Sequence, residues 1–412
     1  MTMAMPSSLD NVARRVEEWL LPRWSLQGRH KLMLKPTLIV LCALAAQAAG
    51  ADTPESRLLA AAQREGSVIV YSVLSTRAAQ PLIQDFEARY PGIRVVYDGD
   101  TASNGMDSRF RAEVGAGAAS ADVVWSSAMD MQMKLVADGF AATYRSAQAA
   151  GLPRWANYRY QAFGTTLEPI VFAFNRRLVT GGDIPRDHAA FARVLAANPE
   201  RFRGKVTTFD IEHSGVGFMF AVQDQRRNPQ LGAVLRSFGA VDYQPGSGTG
   251  EMLGKIAAGD YLLGYHMMGA YALSRGRKDL PDLAVVFPRD FTLVLSRIAF
   301  VSNRATHPNA ARLWLDHLLS ARGQAVIGNS LELFPIRKGV RAQYTADNLR
   351  RELGASMRPI EIGPGLATCL EPERRRVFLA FWNQAIAAGR TPRASPQDLP
   401  NENYALKTRP CR

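Results

Sequence analysis

The chain runs to 412 residues, is 47% apolar and 21% charged, and carries a formal net charge of +13. These proportions exclude a disordered or fibrous chain, and the length exceeds what one hydrophobic core usually organises, so two lobes are expected. The basic residues are scattered, and clusters such as Arg374, Arg375 and Arg376 read as a solvated helix face, which argues against a nucleic-acid partner.

Residues 1–32 read either as a misassigned start, with Met33 the true one, or as a leader extension with a short amphipathic helix through Val12, Val16, Trp19 and Leu20. Residues 33–51 read as a signal peptide, with basic Lys31 and Lys35, an apolar stretch from Pro36 to Ala46, and cleavage options ending at Ala48 or Ala51. That stretch holds about a dozen residues, against roughly 20 for a helix that crosses a bilayer, so cleavage and a periplasmic location are expected. Ile39, Val40 and Leu41 before Cys42 are too bulky for a lipoprotein signal.

Removing residues 1–51, with six Lys or Arg against three Asp or Glu, lowers the net charge from +13 to +10, a balance that favours anionic ligands on encounter. Cys369 and Cys411 then remain, and an oxidising compartment is expected to pair them. Closing that loop of about 42 residues stabilises by roughly 4 kcal/mol; two unpaired thiols are the alternative.

From Ser67 onward, short β-branched runs alternate with helical ones. Strands are predicted at Val68–Tyr71, Ile93–Tyr97 and Asp122–Trp125. Between and after them come a helix opening near Pro81, one through Met106, Phe110 and Val114, and one through Met129, Gln132, Met133 and Val136. The methionine stripe reads as core. After Ile170–Phe174 a second unit begins: strands at Lys205–Phe209, Val241–Tyr243 and Tyr261–Tyr265, and helices at Gly215–Gln225, Leu231–Phe238 and through Met252, Leu253, Ile256 and Ala257. Leu283–Phe287 and Leu293–Val301 read as strands ahead of a helix burying Ala311, Trp314, Leu315, Leu318 and Leu319. Near-continuous apolar strands with helical crossovers imply an α/β fold with parallel sheets covered on both faces. Ligands in such sheets settle beyond the strand carboxyl ends, where helix amino termini point.

Five segments in order, GSVIVYSVLSTRAAQPLIQDFEARYPGIRVVYD, ADVVWSSAMDMQMKLVADG, LEPIVFAFN, AAGDYLLGY and NAARLWLDHLLSARGQAVIGNSLELFPIRKGV, resemble the extracytoplasmic solute-binding proteins of ATP-driven (ABC) importers, in the ferric-iron-type cluster that also includes carriers of organic phosphates. The resemblance covers most of Glu65–Val340 and implies a two-lobed periplasmic-binding-protein fold of type II, with the ligand cleft between lobes joined by hinge strands. The implied lobes are residues 52–168 plus 290–340 and residues 169–289 plus about 341–412. The implied partners are a small solute and an ABC permease with its ATPase. A monomer is expected.

Candidate ligand contacts follow strands and open helices: Ser72, Ser75 and Thr76 after the first strand, Ser126 and Ser127 after the third, and Glu212, His213 and Ser214 in the second lobe. In each case the alternative is a cap that only holds its helix, and for Glu212 and His213 metal binding is a further one. Glu168 precedes Pro169 on the hinge, and Tyr265 and His266 are further cleft candidates, with a buried aromatic and a helix cap as their alternative. Pro245–Gly250 lacks the Lys-Ser/Thr ending of a nucleotide loop and reads as a turn.

Ferric members commonly carry adjacent tyrosines after the strand corresponding to Tyr261–Tyr265, whereas here His266, Met267 and Met268 follow and Tyr271 stands alone. That argues against ferric iron, while the hydroxyls, helix amino termini and net positive charge favour a small organic anion such as a phosphate or phosphonate ester, with ferric iron as the alternative and a membrane-anchored ligand sensor as the alternative of another class. No nucleophile elbow, H-E-x-x-H or P-loop is present, so neither an enzyme nor a cofactor is expected.

Overall fold

A computed structural model describes residues 53–390. The leader, the signal segment and Cys411 lie outside the described residues. Cys369 is buried and disulfide-bonded. Among the described residues no helix is long and apolar enough to cross a membrane.

Among the described residues the strands are β1 Ser67–Ser72, β2 Arg94–Asp98, β3 Val123–Ser126, β4 Asn157–Tyr158, β5 Ala162–Gly164, β6 Glu168–Asn175, β7 Val206–Phe209, β8 Gln244–Gly246, β9 Leu263–Met268, β10 Leu283–Val286, β11 Thr292–Leu295, β12 Ile298–Val301 and β13 Met357–Pro359. They form two sheets, one per lobe. The first has the order β2-β1-β3-β12-β5-β4, with β1 parallel to β2 and β3 and with β12 antiparallel to β3. The second has the order β13-β11-β6-β9-β7-β8, with β10 also paired to β6. Every residue of β6 is buried, as expected of a strand covered on both faces.

The chain crosses from the first sheet to the second between β5 and β6 and returns through Ser296–Arg297, between β11 and β12. The two crossings are tied together: Thr165 N donates to the Arg297 carbonyl at 2.9 Å, and Arg297 N donates to Thr166 Oγ1 at 2.9 Å. Trp125 Nε1 secures the pair from the first lobe through Thr165 Oγ1 at 2.8 Å.

Most predicted elements stand within a few residues of their expected places; four differ for physical reasons. The helix expected near Pro81 begins at Thr76, capped by Ser75, whose Oγ accepts from Ala78 N. Pro81 lies inside that helix at a cost of about 3 kcal/mol, offset by burial of Leu82, Ile83 and Phe86. The strand expected at Val241–Tyr243 starts at Gln244 instead, because Asp242 has φ +48°, outside the strand region. Leu293–Val301 is two strands, β11 and β12, in different sheets. The strand expected at Tyr261–Tyr265 runs instead over Leu263–Met268 and holds a bulge: Val171 pairs with Met267 but Ala173 with Gly264, and His266 takes φ +59°.

The first lobe's core is built on Phe86, Trp125 and Trp314, and the second's on Phe172, Phe191, Phe238 and Trp382.

Candidate functional site

The hinge crossings carry a buried polar cluster. Arg297, 1% exposed, donates from Nε to Glu168 Oε1 at 2.7 Å and from Nη2 to Glu168 Oε2 at 3.1 Å; Glu168 is fully buried. Glu168 Oε1 also accepts from Thr166 Oγ1 at 2.8 Å. Nη2 makes a second bond, donating to the Tyr271 hydroxyl at 2.7 Å. Burial alone would lower the Arg297 pKa, but the Glu168 carboxylate and Tyr271 raise it above the arginine norm, so the cation is permanent. Burial raises the Tyr271 phenol against the pull of Arg297, so that phenol stays protonated at neutral pH. One atom of the cluster is left over: Arg297 Nη1 is buried and has no hydrogen-bond partner. A buried donor without an acceptor costs about 1–3 kcal/mol, more when charged, so such an atom calls for an explanation.

The first lobe brings Tyr97 to this cluster. Its hydroxyl donates to the Leu74 carbonyl at 3.1 Å, and Arg297 and Tyr271 are among its electrostatic neighbours. Burial raises its pKa. Ser72 at the end of β1 and Ser126 at the end of β3 are each 1% exposed and make the same turn, their Oγ atoms accepting at 3.1 Å from Leu74 N and Ala128 N. Ser126 pairs in register with Ile298, the residue after Arg297, which sets it beside the crossing. Ser127 is buried next to it. Ser75 caps its helix, and Thr76 Oγ1 donates to Asp100 Oδ2 at 3.1 Å, which ties the loop after β1 to the loop after β2.

The second lobe's loop at 210–215 is organised by Asp210. Its Oδ1 accepts from Glu212 N at 3.0 Å, and its Oδ2 meets His213 Nδ1 at 2.8 Å. That bond raises the His213 pKa above the ordinary value. The His213 side chain is 82% exposed. Ser214 caps the following helix through Gly217 N at 3.2 Å. The Glu212 carboxylate faces the C-terminal helix, accepting from Asn383 Nδ2 at 2.7 Å. The lobes touch here: Asn104 Nδ2 donates to the His213 carbonyl at 3.0 Å, and a Cβ on Gly215 would stand 2.7 Å from Asn104 Oδ1 and 2.8 Å from Met131 Sδ. A side chain at Gly215 would therefore require Asn104 and Met131 to shift.

Tyr265 and His266 lie apart from the hinge cluster. The bulge turns both into the second lobe, where the Tyr265 hydroxyl donates to Asp224 Oδ2 at 2.6 Å and His266 Nε2 meets the same oxygen at 3.1 Å. Burial pushes the His266 imidazole below its ordinary pKa. Among the described residues no three His, Cys, Asp or Glu side chains gather as a metal site.

Glu168, Ser72, Ser126 and Ser127 are thus placed at or near the hinge, His213 and Ser214 at the contact between lobes, and Ser75, Thr76, Glu212, Tyr265 and His266 in other bonds. Sequence reasoning did not single out Arg297, Thr166 or Tyr97. Arg297 carried a signal, a lone charge inside the apolar run Leu293–Val301, since a charge buried in a strand needs a partner.

No curated protein sequence matches the chain. Among solved structures it is similar to a substrate-binding protein of an ABC transporter from Agrobacterium tumefaciens, at 33% identity and TM-score 0.73, over 78% of this chain and 94% of that one. It shares the fold of the apo ferric ion-binding protein A from Pasteurella haemolytica (17% identity, TM-score 0.62, 78% and 98% covered). It also shares the fold of the periplasmic binding protein AfuA from Actinobacillus pleuropneumoniae with fructose-6-phosphate bound (16%, 0.63, 78% and 98%). The two sheets, the paired crossings between them and the match of residues 81–351 to the family description together show that this chain, with a type II periplasmic-binding fold, belongs to the bacterial extracellular solute-binding proteins.

Proposed function

We propose that the protein is the periplasmic solute-binding component of an ABC importer and that it captures a small organic anion, such as a phosphate or phosphonate ester, between its lobes. The observation that carries this reading is the orphaned Arg297 Nη1, a permanent cation buried where the lobes join, with Glu168 and Tyr271 occupying the other guanidinium nitrogens. An anionic oxygen is the partner that relieves a buried, charged donor most effectively. Ser72 and Ser126 stand nearby with hydroxyls able to donate, and helices open just beyond them. The ligand-bound AfuA structure supports an organic phosphate, since the two chains share a fold.

Closure follows from differential affinity. A ligand that meets the hinge cluster and both lobes binds the closed form better, and so shifts the population toward it. The permease would read that closed form. Ferric iron fits less well, because the guanidinium lies 2.7 Å from the Tyr271 oxygen and opposes a trivalent cation there.

Thermal unfolding of the protein with phosphate esters, phosphonates, carboxylates, sugars and ferric citrate tests the reading. A ligand at 100 times its Kd adds about 2.7 kcal/mol. Stabilisation by organic anions, lost in Arg297→Lys, is expected. Stabilisation by ferric citrate alone, with a phenolate charge-transfer band, overturns the anion assignment.

A further inference from the structure

Residues 357–390 touch both lobes, and the two attachments are unequal. After β13 joins the second sheet, Ile360, Ile362 and Leu366 enter the apolar cluster of Met129, Met133 and Val136, which belong to the first-lobe helix Met129–Ala137. Ile362 reaches the hinge region: a Cβ built on Gly164 would lie 3.0 Å from its Cδ1. Helix Pro372–Arg390 then packs on the second-lobe helix Leu231–Ala240 and buries Phe378 and Trp382 in that lobe's core. Gly389 lies so close to Arg236 that any Cβ there would collide with its carbonyl. Arg375 Nη2 donates to the Glu212 carbonyl at 2.8 Å and Asn383 to the Glu212 carboxylate, which adds hydrogen bonds to the second-lobe attachment. The first-lobe attachment is mainly apolar side chains.

Asp130 lies on the first-lobe helix that receives this attachment. It is 3% exposed, and its Oδ1 accepts from Met131 N at 2.8 Å; among the described residues no cation pairs with it within 4.0 Å. The charged groups acting on it are Arg375 from the C-terminal helix and Asp107 from helix Ser103–Gly115. Segment Pro364–Leu370 brings no titratable side chain besides the disulfide-bonded Cys369, and helix Gly215–Gln225 brings only Asp224, which is bonded to Tyr265 and His266. On its own helix Lys134 and Asp138 are paired with each other.

We propose that residues 357–390 are a strap that holds the lobes closed by seating on helix Met129–Ala137, and that the proton on Asp130 governs how firmly it seats. Burial raises the Asp130 carboxyl to about 7. Released into water, it would titrate near pH 4. Seating is therefore at full strength below about pH 4, weakens by up to tenfold per unit as pH rises toward 7, and levels off above that. A protein working near neutral pH sits at the upper end of this window. The proton thereby acts as a second ligand of the closed form, at a place separate from the hinge cluster.

The test needs no solute. Amide exchange in residues 129–137 and 360–370 of the full chain is followed at pH 5.5 and 8.0, corrected for intrinsic exchange, together with the radius of gyration from X-ray scattering. Protection in both segments is expected to fall at least tenfold at pH 8.0 while the radius grows. Asp130→Asn is expected to stay protected and compact at both pH values, and Leu366→Ser to exchange fast at both while helix 231–240 stays protected. Equal protection of the native chain at the two pH values, a fall in Asp130→Asn as large as in the native chain, or a radius that ignores the change in exchange would each overturn the proposal.

Discussion

The hinge cluster around Arg297 and the second-lobe cluster around Asp224 are equally dry, since Arg297, Glu168, Asp224 and His266 all expose 3% or less of their surface. Each leaves one atom unbonded, Nη1 of Arg297 and Oδ1 of Asp224. They differ in what surrounds that atom. Arg297 sits where two bodies meet, so a molecule entering between them can complete its hydrogen bonds. Asp224 sits behind Phe220, Tyr265 and His266 within one body, and its bonds hold a bulged strand in register. The proposal reads the first cluster as a ligand contact because it lies where the lobes join, and the second as packing because it lies inside one lobe.

Substitutions distinguish the two clusters. The largest effect is expected for Glu168→Ala, which strands the Arg297 cation. Urea unfolding should show a loss of about 3–5 kcal/mol, and any ligand found by thermal shift should bind more weakly, because the guanidinium is no longer aimed. Asp224→Asn comes next, with about 1–3 kcal/mol lost as the Tyr265 and His266 bonds weaken, and with ligand affinity unchanged. If it lowered affinity as far as Glu168→Ala does, the division between a binding cluster and a packing cluster would fail.

The smallest effect concerns acid. His266 is held neutral in the fold with its pKa below the ordinary value, so the unfolded chain takes up a proton first as pH falls. Stability tied to this group is complete above the usual histidine range and drains away as pH drops below it. The unfolding midpoint of His266→Gln should therefore fall less between pH 7 and 5 than that of the native chain. Acid in that interval should therefore act on the second-lobe cluster through His266, while the Arg297 guanidinium keeps its charge.

Much of the architecture was legible because it rests on local pattern. Helix Gly215–Gln225 stands where the sequence reading put it, and β1, β3 and β7 lie within a residue or two. The departures come from features without a local signature. The run Leu293–Val301, apolar but for Ser296 and Arg297, reads as one strand and hides the change of sheet at those two residues. The bulge at His266 depends on how β9 meets β6. The site was legible only in part. Serines at strand ends are visible to inspection, but Tyr97, Thr166 and Arg297 lie 69 and 131 residues apart in sequence, counting from Thr166, and their meeting is a property of the crossings.

Those crossings have a mechanical consequence. Because Thr165, Thr166 and Arg297 bond across the two hinge segments, any opening turns the lobes about that pair, and atoms on a pivot hardly move while the rim sweeps an arc. In such a swing Arg297 and Glu168 would keep their arrangement, whereas Asn104 would part from His213 and Gly215. If the proposed anion site is right, an arriving solute would find the Arg297 cation already in place, and the rim contacts would be made last.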